Sequence, residues 1–141
     1  MNNILYTDLE GTYSLLEYNR SHSELLLRKR VQNEGCSNID IVFKSVQYIS
    51  IPTILAGVQI STISDQTQIK LLKKTFNFNT DYGYLIYSIK NLSQETYYIN
   101  GGVFGVFRNE LDILVSSLGD FTWSDSNKLI YWSGDSSAPS H

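Results

Sequence analysis

Covalent staples and metal-binding side chains are scarce in this chain. Its 141 residues include a single cysteine, Cys36, which excludes an internal disulfide and any cysteine-based zinc site. There are only two histidines, His22 and His141, and a two-histidine metal site would have to recruit the chain's last residue. No apolar run approaches the roughly 18 residues that span a bilayer. The opening residues MNNILYTDLEG lack both the basic stretch and the apolar segment of a secretion signal, so a cytoplasmic protein without a membrane span is expected. Phosphate-cradling GxxxxGK[ST] and GxGxxG motifs are missing, as is the G-x-S-x-G nucleophile elbow, and no cofactor is read from the sequence.

What is present is aromatic and sparsely charged. Tyrosine (10) and phenylalanine (6) dominate an aromatic share of 13%, and charged residues make up 18% with a net charge of −3. That combination opposes intrinsic disorder. A chain of this length buries roughly 70% of its unfolded surface and supports one core. Residues 1–132 are expected to form a single domain, with the apolar-free stretch 133–141 (SGDSSAPSH) as a flexible tail. The charge is uneven: residues 1–90 are net +1 and residues 91–141 net −4. Nucleic-acid binders favour a basic stripe, so an acidic third argues for a basic protein partner, or simply for solubility.

Most of the hydrophobic periodicity has the two-residue period of strands. Residues 13–18, 23–31 and 39–44 read as strands. Leu25, Leu27 and Val31 share one face with the stem of Lys29 between them, and Ile39, Ile41 and Phe43 face away from Asp40 and Lys44. At Ser45 the phase slips, which predicts a bulge or corner, and Pro52 marks a strand end. Ile54, Ala56, Val58 and Ile60 then alternate. In 65–76, Asp65 and Gln68 have capping spacing and Ile69, Leu72 and Phe76 recur at helical intervals, which predicts a short helix running into a strand. Residues 82–90 read as a central strand, 91–95 as a hairpin loop, and Asn100-Gly101 as a tight turn completing a three-stranded meander with 103–107. Leu111, Leu114, Val115 and Leu118 form one helical stripe, with Asn109 as a cap and Gly119 as a terminator, so a helix over 110–118 is expected to pack on the sheet. A closing hairpin of 121–123 and 128–132 completes the expectation. The fold class is α+β and β-rich, a mainly antiparallel bent sheet or sandwich with one or two short helices.

Asp8-Leu9-Glu10-Gly11-Thr12, following Ile4-Leu5-Tyr6, resembles the first motif of haloacid-dehalogenase-like phosphatases. That resemblance implies Asp8 as nucleophile, with Glu10 in place of the usual second aspartate. A run of consecutive strands does not suit that fold, and the plainer reading is a strand end followed by a glycine turn. His22 is the other candidate for a small hydrolase. Arg28-Lys29-Arg30 could engage single-stranded nucleic acid, but alternation sends Arg28 and Arg30 to one face and Lys29 to the other, which favours solvated charges. Trp123 and Trp132 lie in the acidic third, where tryptophan can serve either core packing or binding.

The stretch Leu25-Leu26-Leu27-Arg28 followed by Ile39 to Ile51 (IDIVFKSVQYISI), with its F-x-x-V pattern, is similar to paired strands of small β-rich bacterial immunity proteins of polymorphic toxin systems. The resemblance covers about residues 13–60. It implies a cytoplasmic, non-enzymatic protein that occludes the active site of a cognate toxin, and a basic toxin domain would suit the acidic third. The expected contact residues are Asp112, Asp120, Trp123, Asp125 and Trp132.

Overall fold

Alternating apolar side chains along nearly every run produce nine strands among the described residues. The computed structural model describes residues 2–32, 35–118 and 127–134. The strands are β1 (Asn2–Asn19), β2 (Glu24–Val31), β3 (Ser37–Phe43), β4 (Tyr48–Ser50), β5 (Ile54–Ile63), β6 (Leu85–Lys90), β7 (Thr96–Gly101), β8 (Phe104–Asn109) and β9 (Asn127–Trp132). One helix, α1 (Gln66–Thr75), and a single 3₁₀ turn (Asp81–Gly83) separate β5 from β6. All nine strands belong to one antiparallel sheet in the order β4-β7-β6-β5-β1-β2-β3-β8-β9. This is a single β-rich domain.

The sheet is open in its pairing but strongly curled. Two chain segments, β3 to β4 and β7 to β8, bend together at one corner. There Lys44 N donates to Val103 O, Gly102 N to Lys44 O and Gln47 N to Asn100 O, at 2.7–2.9 Å. Ser45, with φ of 54°, makes the bend that the phase slip predicts. Curling brings β3 against β6 across the interior: the Phe43 and Tyr87 rings meet edge to face at 5.4 Å, and both contact Phe104. The inner face therefore forms one core, including Tyr13, Leu25, Leu27, Ile41, Val58 and Ile99. Burying each such side chain contributes roughly 1.5–3 kcal/mol.

Two smaller clusters cover the outer face. One is α1, whose Ile69 and Leu72 pack with Phe76, Phe78, Ile63 and Ile86. Asp65 caps this helix as its spacing predicts, accepting from Thr67 N at 3.0 Å. The other unites Leu26, Val42, Phe107 and Leu118, with Leu16 alongside.

Several expectations require correction. The run 75–79 is not a strand: Thr75 ends α1, Phe76 and Phe78 pack onto the α1 cluster, and the Asn79 backbone bonds to the Asn100 side chain rather than to a neighbouring strand. Asn100 and Gly101 belong to β7 and form no tight turn. The Asn100 amide is occupied in bonds to Asn79 O and Leu85 O and in accepting from Asn79 N, so its role is a buried clamp. Residues 103–107 consequently leave the meander, and β8 pairs with β3 and β9. Residues 8–12 are no strand end: β1 runs through them with a bulge, where Leu9, Glu10 and Gly11 oppose only Gly57. Gly57 has φ of 80°, and a Cβ there would sit 3.2 Å from Leu9 Cα. This irregularity resets the phase of β5, so Leu55, Val58 and Ile60 face inward while Ile54 and Ala56 are exposed.

The expected helix over 110–118 does not form. Strand β9 is present where 128–132 predicts it, but its described partner is β8. Residues 121–123 and 135–141 lie outside the described residues.

Candidate functional site

Strand alternation puts Arg28 and Arg30 of β2, Asn38 and Asp40 of β3, and Phe107 and Asn109 of β8 on the outer face. Expected as solvated charge, Arg28 is instead 4% exposed and Asp40 fully buried. A buried ion pair survives only when its remaining donors and acceptors are satisfied. Here Arg28 Nε and Nη2 make a two-pronged contact with the Asp40 carboxylate at 2.7 and 2.9 Å, and Asn109 Nδ2 adds a third bond at 2.7 Å.

The remaining guanidinium nitrogen reaches the chain that follows β8. Arg28 Nη1 donates to the carbonyls of Asp112, Ile113 and Val115 at 3.2, 2.9 and 2.7 Å. Arg30 Nη1 and Asn38 Nδ2 both donate to Leu111 O, at 2.8 and 2.9 Å. Asn38 is fixed in turn by Arg30 Nη1 and by Asn109 Oδ1. This explains the missing helix. Carbonyls that would accept from amides one turn later are taken by arginine and asparagine side chains, leaving residues 110–118 as a non-helical strap across the sheet.

The strap's apolar stripe is split accordingly. Leu118 is 8% exposed among Leu26, Val42 and Phe107, whereas Ile113, Leu114 and Val115 are 53%, 80% and 48% exposed. Three consecutive aliphatic side chains thus stand in solvent on a backbone tied down from below. Exposed Glu110 and Asp112 flank them.

Of the five expected contact residues, the structure describes two on this same face. Asp112 sits on the strap. Trp132 ends β9 opposite Gly105, half-buried and packed where a Gly105 Cβ would otherwise lie. Its Nε1 is buried with no acceptor among the described residues. Leu129, 40% exposed and paired with Phe107, extends the apolar surface along β9. Asp120, Trp123 and Asp125 lie outside the described residues. Sequence reasoning missed the exposure of Ile113 and Val115 and the anchoring of their backbone by Arg28. The signal was a run of three aliphatics between acidic and serine residues, absorbed there into a helical stripe.

The hydrolase candidates are placed differently. Lys29 points inward, its stem packed as alternation predicts, and its Nζ donates to Asp8 Oδ2 and to Glu10 O. Tyr13 OH donates to the same Asp8 oxygen at 2.7 Å, and Glu10 N reaches Asp8 Oδ1 at 3.2 Å. Burial works to raise the Asp8 pKa, but the bonds from Lys29 and Tyr13, the nearby ammonium and the Glu10 amide outweigh it and hold it below the usual carboxylate value. Burial, then the bond to Asp8, pushes the Tyr13 phenol far upward. The Glu10 side chain is exposed, and so is His22, on the turn between β1 and β2. No cluster of three His, Cys, Asp or Glu residues suited to a metal occurs among the described residues. Nor is any described helix long and apolar enough to cross a membrane.

No family model, curated protein or solved structure matches this chain.

Proposed function

We propose that the protein is a non-enzymatic binding module of immunity type, acting in a bacterial cytoplasm, whose strap enters the cleft of a basic toxin domain. The observation that carries this reading is the exposed triplet Ile113-Leu114-Val115 on a backbone anchored by Arg28. A segment already held in one conformation loses little entropy on docking, and aliphatic side chains that leave water at an interface add to its affinity. Glu110 and Asp112 beside the triplet suit a basic rim, which speeds encounter and excludes acidic competitors.

The alternatives draw less support. Asp8 is committed to Lys29 and Tyr13, which leaves a hydrolase without an available nucleophile at that motif. Arg28 and Arg30 are committed to Asp40, Asn38 and the strap, which disfavours phosphate binding through them.

The test is affinity capture with tagged wild-type protein and a Leu114→Asp variant, followed by mass spectrometry after a moderate salt wash. The reading expects one near-stoichiometric basic protein, released at high salt and absent from the Leu114→Asp sample. A partner retained equally by both proteins would move the contact surface off the strap.

A further inference from the structure

The strap's attachment has an unusual balance. Its apolar anchoring comes mainly from Leu118, while the triplet 113–115 contributes exposed surface. Its backbone is tied to β2 and β3 through side-chain donors, and three of those bonds converge on one nitrogen of Arg28. Among the described residues, few strap amides have partners of their own. Val115 N donates to Asp112 O at 2.9 Å, Leu111 N to Asn109 Oδ1 at 3.3 Å and Leu118 N to Ser116 Oγ at 2.9 Å. Ser117 Oγ is buried with no hydrogen-bond partner among the described residues, which weakens the closed arrangement. The sheet beneath does not depend on the strap: β3 lies between β2 and β8 by continuous pairing from Asn38 to Phe43.

We infer that Arg28 is a positioning residue that sets the strap's recognition conformation, and that the strap leaves the sheet as a unit while the strands beneath stay formed. The inference rests on the reading of the strap as the contact surface. It adds that this surface is switchable: opening removes the ordered triplet and withdraws Leu118 from Leu26, Val42 and Phe107. A segment with little apolar burial and many solvent-facing backbone groups belongs to the low-stability end of a fold. The guanidinium fork suits this latch because it grips a carboxylate with one edge and carbonyls with the other. A lysine ammonium keeps the charge beside Asp40 but not that geometry.

Amide hydrogen exchange of the full chain tests this without a partner. In the wild type, the amides of Leu111, Val115 and Leu118 should exchange through an opening with little denaturant dependence, well before Leu27 and Ile41 of the central strands. Arg28→Lys should speed those three amides by at least about tenfold without raising their denaturant dependence, so that they still exchange ahead of Leu27 and Ile41. Ser117→Ala, which deletes the unpaired hydroxyl, should slow the strap amides. Strap amides that exchange only with global unfolding in the wild type would overturn the proposal. So would an Arg28→Lys variant whose strap amides are unchanged or exchange only together with Leu27 and Ile41, or a Ser117→Ala variant that speeds the strap. Failure here removes the latch and leaves the contact surface standing, whereas failure of the capture experiment does the reverse.

Discussion

Lys29 shows how an inward-facing ammonium becomes tolerable. Its stem lies over Gly11, where a Cβ would meet it, and its head is met by Asp8, the Glu10 carbonyl and the face of Tyr13, 5.5 Å away. Asp8 gains the most from this arrangement, so protonating it costs more in the native state than in the unfolded chain. Its contribution to stability is therefore full above the ordinary aspartate pKa and is lost as pH falls through its depressed native value. Asp8→Asn should lower stability at pH 7 by about 1–3 kcal/mol and flatten the acid limb of the stability curve, as read by urea unfolding between pH 7 and pH 2. Tyr87, pushed up to about 12 chiefly by burial, should stay neutral through any ordinary titration. The outer face has its own sensitive point at Gly105. A Cβ there would lie 2.8 Å from Phe107 Cζ and 3.0 Å from Trp132 Cε3. Gly105→Ala should cost about 1–3 kcal/mol by overpacking and displace the Trp132 ring, visible in its near-ultraviolet circular dichroism.

At the scale of elements, the strap separates two accounts that share one sequence pattern. A helical stripe would make Leu114 and Leu118 comparably important. The observed strap predicts that Leu118→Ala costs about 2–4 kcal/mol in denaturant unfolding, while Leu114→Ala stays within about 0.5 kcal/mol. The pattern misled because four leucine and valine positions at helical spacing say nothing about who competes for the carbonyls. That competition comes from Arg28, Arg30 and Asn38, some 70 to 90 residues earlier in the chain. Where the deciding forces are local, the sequence was legible. Asp65 capped α1, the phase slip at Ser45 marked the corner, and the alternation of Ile39, Ile41 and Phe43 put the right face inward. Asn100 was misread for the same reason as the strap, because its partners Asn79 and Leu85 are distant in sequence and the dipeptide alone looks like a turn. Within the candidate site, Asp112 and Trp132 were visible as acid and aromatic, but the anchoring arginine resembled ordinary surface charge.

For the whole molecule, charge asymmetry and topology each have a measurable consequence. Reversing Glu110 and Asp112 to lysine should slow association with a basic partner severalfold and flatten its salt dependence, with little change in dissociation, as read by surface-immobilised kinetics. The corner shared by β3, β4, β7 and β8 bears on the time the protein takes to form. Strand β3 must wait for β8, which follows it by about 60 residues, and β1 must wait for β5. Each of those closures gives up chain entropy before the pairing repays it, so refolding belongs in the millisecond-to-second range of non-local β proteins. Until β8 arrives, the apolar edge of β3 has no neighbour on that side. A newly made chain therefore passes through an interval in which Ile41 and Phe43 are open to mispairing, and crowding or a folding helper acting in that interval would govern how much protein accumulates.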